Sequence, residues 1–151
     1  MDIKELYKLY LAHPCITTDS RECPKDSIFL ALKGASFDGN RFAQAALEKG
    51  CAYAIVSELT NPETQKEDCR YIVVDDTLQT FKDLAREHRR HFDLPIIGIT
   101  GTNGKTTTKE LTKAVLAECY NVMATEGNFN NDIGVPKTLF RLNEEIGRAH
   151  V

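Results

Sequence analysis

No stretch of this sequence approaches the roughly 20 consecutive apolar residues that a membrane-spanning helix needs, and no CxxC pair occurs among its five cysteines. The first absence excludes a helical membrane span within these residues. The second leaves little for a zinc site or a disulfide framework, because Cys15, Cys23, Cys51, Cys69 and Cys119 are odd in number and scattered. Reduced, mostly buried thiols are expected. An excess of positive charge is missing too. The formal net charge is -3 and the pI is near 5.8, so the chain has no general attraction for a polyanion, and nucleic acid is not expected as a partner. Residues 1–14, MDIKELYKLYLAHP, are charged throughout and lack the apolar core of a signal peptide. A cytoplasmic location is expected. Internal repeats and low-complexity tracts are also absent.

What is present fits a soluble globular protein: 151 residues, 42% hydrophobic and 27% charged, enough for one ordinary domain or two small ones. Residues 3–11 alternate apolar and charged side chains at helical spacing, which predicts a short amphipathic helix. SIFLAL (27–32) predicts a buried strand. Asp38 or Asn40 is placed to cap a helix ending at Gly50. AYAIV (52–56) and YIVVDD (71–76) predict two more strands, separated by a polar loop containing Pro62. Thr77 opens a helix reaching about His91. Alternating strands and helices predict an α/β fold with a mainly parallel sheet.

FDLP (92–95) reads as a joint, and a second α/β unit follows it. IIGIT (96–100) predicts a buried strand, residues 105–119 a helix, and NVMAT (121–125) another strand. A Gly/Asn-rich loop, EGNFNNDIG, leads to a last helix, VPKTLFRL, with Pro136 in its first turn. After NEE the chain reads IGRAHV, where a parallel sheet needs its next strand. The bases ATCGGAAGAGCACACGTC, common in sequencing adapters, encode that hexapeptide. Residues 146–151 are therefore expected to be a non-native tail, with the natural chain continuing past about Glu145. The expected domains are residues 1–93, residues 94–145 as an incomplete second domain, and the 146–151 tail.

The chemistry concentrates in GITGTNGKTTTKE (98–110). A strand, a glycine turn, Lys-Thr and a helix form a phosphate loop: backbone N–H groups point at phosphate oxygens, and the helix N-terminus adds a positive dipole end. Lys105 is placed to reach the β- and γ-phosphates of ATP, and Thr106 to put its hydroxyl on Mg²⁺. The general pattern GxxxxGK[ST] has glycine where this chain has Ile99. The chain instead reads Gly101, Thr102, Asn103, Gly104, Lys105, Thr106, Thr107, a variant loop, and these residues are the expected nucleotide site.

That variant resembles the central-domain loop of the Mur ligases, which build the peptide stem of bacterial cell wall. TTDSRECPKDSIFLALKGASFDGNRFAQAALEKGCAYAIV resembles the family's N-terminal UDP-binding domain, and ATEGNFNNDIGVPKTLFRL the segment after its first central-domain helix. The resemblance covers the chain to about Glu145. It implies a UDP-sugar-binding domain followed by the start of an ATP-binding domain. It also implies formation of an acyl phosphate on a UDP-muramoyl-peptide, which an amine then attacks. GNFNNDIGVP is most like the member that adds D-alanyl-D-alanine to UDP-N-acetylmuramoyl-tripeptide. The member adding the third stem residue is the close rival, and the loop does not separate them. Lys105 and Thr106 are then catalytic, Thr106 is the magnesium ligand, and Thr107 assists.

On residues alone, TTDSR (17–21) is a polar turn with Asp19 capping the backbone; the resemblance makes Ser20 and Arg21 contacts to the uridine diphosphate. LKG (32–34) and FDGN (37–40) resemble further parts of that pocket, with Lys33 a weaker phosphate contact. Thr125, Asn128 and Asn131 are the substrate-side residues; Asn130 shares their loop, in which asparagines also suit left-handed backbone. His88 and His91 in EHRRH read as a solvated helix end rather than a metal site. The family's magnesium-binding glutamate, its histidine and its third domain fall outside this sequence, so these 151 residues are expected to be inactive alone and the second unit poorly stable. The expected state is a monomer. The other readings are a non-catalytic nucleotide- or UDP-sugar-binding fragment and an unrelated phosphate-loop kinase.

Overall fold

The computed structural model describes residues 1–34, 36–126, 129 and 131–148. The chain divides into two units, Met1–Glu87 and His88–Val151.

The first unit is built on four parallel strands in sequential order: β1 (Ile16–Thr17), β2 (Ile28–Leu30), β3 (Tyr53–Val56) and β4 (Tyr71–Val73). Register aligns Ile16 with Ile28, Phe29 with Ala54, and Ile55 with Ile72. All of β2 is buried, as its unbroken apolar run requires of a strand covered on both faces. Helix α1 (Ile3–Ala12) starts at a capping box: Asp2 accepts from the Ile3 amide, and the Glu5 side chain accepts from the Asp2 amide. A single 3-10 turn over Gly39–Phe42 precedes α2 (Ala43–Glu48). Asp38 caps the turn by accepting from the Asn40 amide at 3.0 Å. The polar stretch after β3 contains α3 (Pro62–Gln65), one turn opened by Pro62. Helix α4 (Thr77–Arg90) starts where the Thr77 hydroxyl donates to the Ala31 carbonyl at 2.8 Å. Phe29, Ile55, Phe81 and Leu84 are among the fully buried side chains of this unit. The expected α/β fold stands, with one strand, β1, where the sequence suggested only the approach to a loop.

The second unit is different. Helices α5 (Lys105–Ala117) and α6 (Gly134–Leu139) form as expected. The two expected strands do not: among the described residues no strand occupies 96–100 or 121–125. Ile96 and Ile97 are exposed rather than buried. A parallel strand is held only by bonds to neighbours, and among the described residues no other strand of this unit supplies them. The backbone of Asn121 bonds instead with Gly147 and Arg148, at 2.8 and 2.9 Å. Helix α5 buries no residue completely. An apolar cavity of about 610 Å³ lies within the unit, walled by Ile99, Leu116, Val122, Met123 and Leu139 among others.

His88 corrects the reading of EHRRH as a solvated end. It is buried, its Nε2 lies 3.1 Å from the Leu142 carbonyl, and its ring stacks against Phe140 and meets Phe92 edge-on. Burial pushes its pKa below the ordinary histidine value. No helix among the described residues is long and apolar enough to cross a membrane.

Candidate functional site

The phosphate-loop residues gather at the start of α5. Gly101 has φ +146° and Gly104 φ +77°, backbone that L side chains rarely adopt, so glycine is a geometric requirement at both positions. Gly104 is the N-cap and brings no side chain to the helix end. The first helical bond runs from the Thr108 amide to the Gly104 carbonyl at 2.9 Å. The amides of Lys105, Thr106 and Thr107 therefore lie in the first turn, where a helix has no internal partner for them. With the dipole, they make a seat for an anion.

The Lys105 ammonium donates back to the carbonyls of Gly101 and Thr102, which sets positive charge over the same loop. Thr102, Asn103, Thr106 and Thr107 are exposed around it. Ile99, the departure from the general pattern, lies in the wall of the apolar cavity. The turn itself begins at Gly101, so the glycine the general pattern places earlier has no task here. No cluster of three or more His, Cys, Asp or Glu suited to a metal occurs among the described residues.

In the first unit, TTDSR leaves β1 as a tightly bonded loop. The Thr17 hydroxyl donates to the Glu22 carbonyl at 2.8 Å. Asp19 accepts from the Arg21 amide at 2.9 Å and receives the Arg21 guanidinium at 2.7 Å, so the capping turn forms. The Arg21 side chain is still 86% exposed. The Ser20 carbonyl accepts from Lys49 Nζ at 2.6 Å and from the Cys23 thiol at 3.4 Å. Lys33 is ion-paired to Glu58 at 2.9 Å. Asn40 of FDGN is buried and spent internally: its amide nitrogen donates to Asp38 and to the Ser57 hydroxyl, and its oxygen accepts from the Ser57 amide.

In the second unit, the Thr125 carbonyl accepts from Lys109 Nζ at 2.7 Å. The Asn131 oxygen accepts from the amides of Ile133 and Gly134, at 3.2 and 2.7 Å, holding the entrance to α6. Asn128 and Asn130 lie outside the described residues. Sequence reasoning missed Lys49 and Lys109. Lys49 had no signal, since its bond spans 29 residues of chain. Lys109 had a weak one, standing one helical turn after Lys105.

The profile described as the Mur ligase family, catalytic domain, matches residues 14–89, half of the chain, and that of the Mur ligase middle domain matches residues 99–150. The chain belongs to the Mur ligase family. It is 46% identical over 130 residues to the UDP-N-acetylmuramoyl-tripeptide–D-alanyl-D-alanine ligase of Synechocystis sp., covering 86% of this chain and 28% of that protein. The ligase of the same name from Bacillus subtilis is 39% identical over 151 residues, covering 95% and 33%. Among solved structures, the MurF ligase from Thermotoga maritima in complex with ADP superposes with a TM-score of 0.81 at 31% identity, over 91% of this chain and 31% of that one. MurF from Acinetobacter baumannii gives 0.79 at 33% identity, over 93% and 33%. This Mur ligase chain thus spans about a third of the length of the relatives it matches.

Proposed function

We propose that the protein is an ATP-dependent carbon–nitrogen ligase that adds D-alanyl-D-alanine to UDP-N-acetylmuramoyl-tripeptide. The observation that supports it best is the loop at Gly101–Thr107, an anion seat with a lysine over it, in a chain whose relatives bear that ligase's name. The tripeptide carboxylate is a poor acylating agent; phosphorylation by ATP makes an acyl phosphate, and the dipeptide amine displaces phosphate from it. The α5 amides and Gly101–Gly104 backbone hold the phosphates, and Lys105 leaves its loop carbonyls to face charge developing on the transferred phosphoryl group. The exposed Thr106 hydroxyl fits Mg²⁺, an ion that needs few protein ligands when phosphates and water supply the rest. Bound there, Mg²⁺ would offset phosphate charge. Thr107 lies beside it.

Ser20 and Arg21 take the uridine diphosphate in this reading, and Thr125, Asn128 and Asn131 meet the sugar-peptide. Residues 1–93 form the UDP-sugar-binding domain and 94–145 the beginning of the ATP-binding domain. The protein acts as a cytoplasmic monomer.

A second reading, the ligase that adds the third stem residue, draws on a 39% identical stretch of 106 residues in the 2,6-diaminopimelate ligase of Chlorobium phaeobacteroides. A solved structure of that activity superposes less well, with a TM-score of 0.54, which favours the first. The test is to read the gene from genomic DNA through the codon for Glu145, express the whole frame and measure ADP release. Release that requires UDP-N-acetylmuramoyl-tripeptide and D-alanyl-D-alanine, and falls at least about 100-fold in Lys105→Ala, is the expected result. Release with UDP-N-acetylmuramoyl-L-alanyl-D-glutamate and 2,6-diaminopimelate instead selects the second reading, and release with neither pair overturns both.

A further inference from the structure

A lysine side chain is seldom withdrawn from water unless its charge is answered. That of Lys109 is only 16% exposed. It stands four residues after Lys105 on α5, so the two share a helix face. Lys105 turns back to the phosphate loop, whereas Lys109 Nζ donates to the Thr125 carbonyl at 2.7 Å and pairs with Glu110 at 2.9 Å. Among the described residues no strand occupies 121–125; Asn121 is held through its backbone, and Thr125 is held by a side chain. A second ion pair, Arg141 with Glu126 at 3.0 Å, grips the next residue. The first tie falls immediately before the Gly/Asn-rich loop and the second on its first residue.

We infer that Lys109 is a positioning residue: by its bond to the Thr125 carbonyl it fixes the segment that meets the sugar-peptide against the helix that holds the phosphates. The role of that segment rests on the ligase reading above; the tie itself rests on the hydrogen bond alone. Lys109 touches neither reacting group. Its loss should weaken placement of one substrate and leave the nucleotide seat intact, because Gly101–Thr107 closes on its own backbone.

The variants are Lys109→Met, which keeps the apolar stem and removes the donor, and Lys109→Arg, which keeps a donor. In the whole protein, KM for UDP-N-acetylmuramoyl-tripeptide should rise about tenfold in Lys109→Met, with KM for ATP and for D-alanyl-D-alanine within about twofold, and Lys109→Arg should recover most of the loss. Hydrogen exchange in a peptide covering 120–126 should quicken in Lys109→Met alone. An unchanged KM for the UDP-tripeptide, or an equal rise in all three constants, overturns the inference. If the unmutated protein releases no ADP with these substrates, the ligase reading falls by itself. Exchange then decides the tie: faster exchange in Lys109→Met upholds it, and unchanged exchange overturns it.

Discussion

The two units of this chain both carry strand signals and treat them differently. In the first, SIFLAL and AYAIV become β2 and β3, and the strands bury Ile28, Phe29, Leu30, Ala54, Ile55 and Val56. In the second, IIGIT and NVMAT are less apolar, neither is a strand among the described residues, and Ile96 and Ile97 stand 56% and 60% exposed. The difference lies in partners. β2 has β1 on one side and β3 on the other. Among the described residues the second unit offers no such neighbour, and a lone parallel strand leaves its amides and carbonyls unanswered.

The sharpest break of that comparison is a matched pair of truncations. Phe29→Ala removes a ring that is 1% exposed and should cost about 3–5 kcal/mol in urea unfolding. Val115→Ala, on α5 and 72% exposed, should change stability by less than about 0.5 kcal/mol. Similar costs at both sites would mean that α5 is covered in solution.

A smaller effect is expected at Asn40→Ala. The change strands the buried Ser57 amide and should cost about 1–3 kcal/mol, read in the same unfolding experiment. A neutral result would return Asn40 from scaffold to candidate ligand contact.

Acid should separate the units further. Because burial lowers the folded-state pKa of His88, the unfolded chain binds its proton more readily. The stability His88 contributes is therefore complete above the ordinary value near 6.5 and is lost as pH falls below it toward the folded value. Protection factors near Leu142, corrected for the fall of intrinsic amide exchange with pH, should drop between pH 7 and pH 5, while those in β2 and β3 stay level. An equal drop in both would exclude His88 as the cause.

The least perturbing test reads exposure alone. Cys69 and Cys119 are exposed and Cys51 is buried, while burial, with a hydrogen bond to Cys51, raises the Cys23 pKa to about 11. Iodoacetamide at pH 8 should label Cys69 and Cys119 first and Cys23 far more slowly, because the thiolate is the nucleophile. Early labelling of Cys23, followed by mass spectrometry, would contradict that packing.

Much of this was legible beforehand. Helices α1, α4, α5 and α6 follow from spacing, caps and Pro136, all features within a few residues of chain. The glycine turn was legible for the same reason, since glycine at 101 and 104 states a backbone requirement at those very positions. The place of Lys105 and Thr106 at the start of α5 was legible from the glycine turn beside them. The burial of His88 was not legible, because its partner Leu142 lies 54 residues away. Nor were the lysine ties at Ser20 and Thr125, which depend on where distant carbonyls end up.

By itself, then, the sequence determined the helices, the glycine turn, the alternation of strand and helix in the first unit and the family to which the chain belongs, because each rests on neighbours in the chain. Only the tertiary structure decided which apolar runs became strands, which histidine lost its water and which carbonyls the lysines hold. Those outcomes depend on partners far along the chain, and hydrogen bonds and burial exist only once the partners have met.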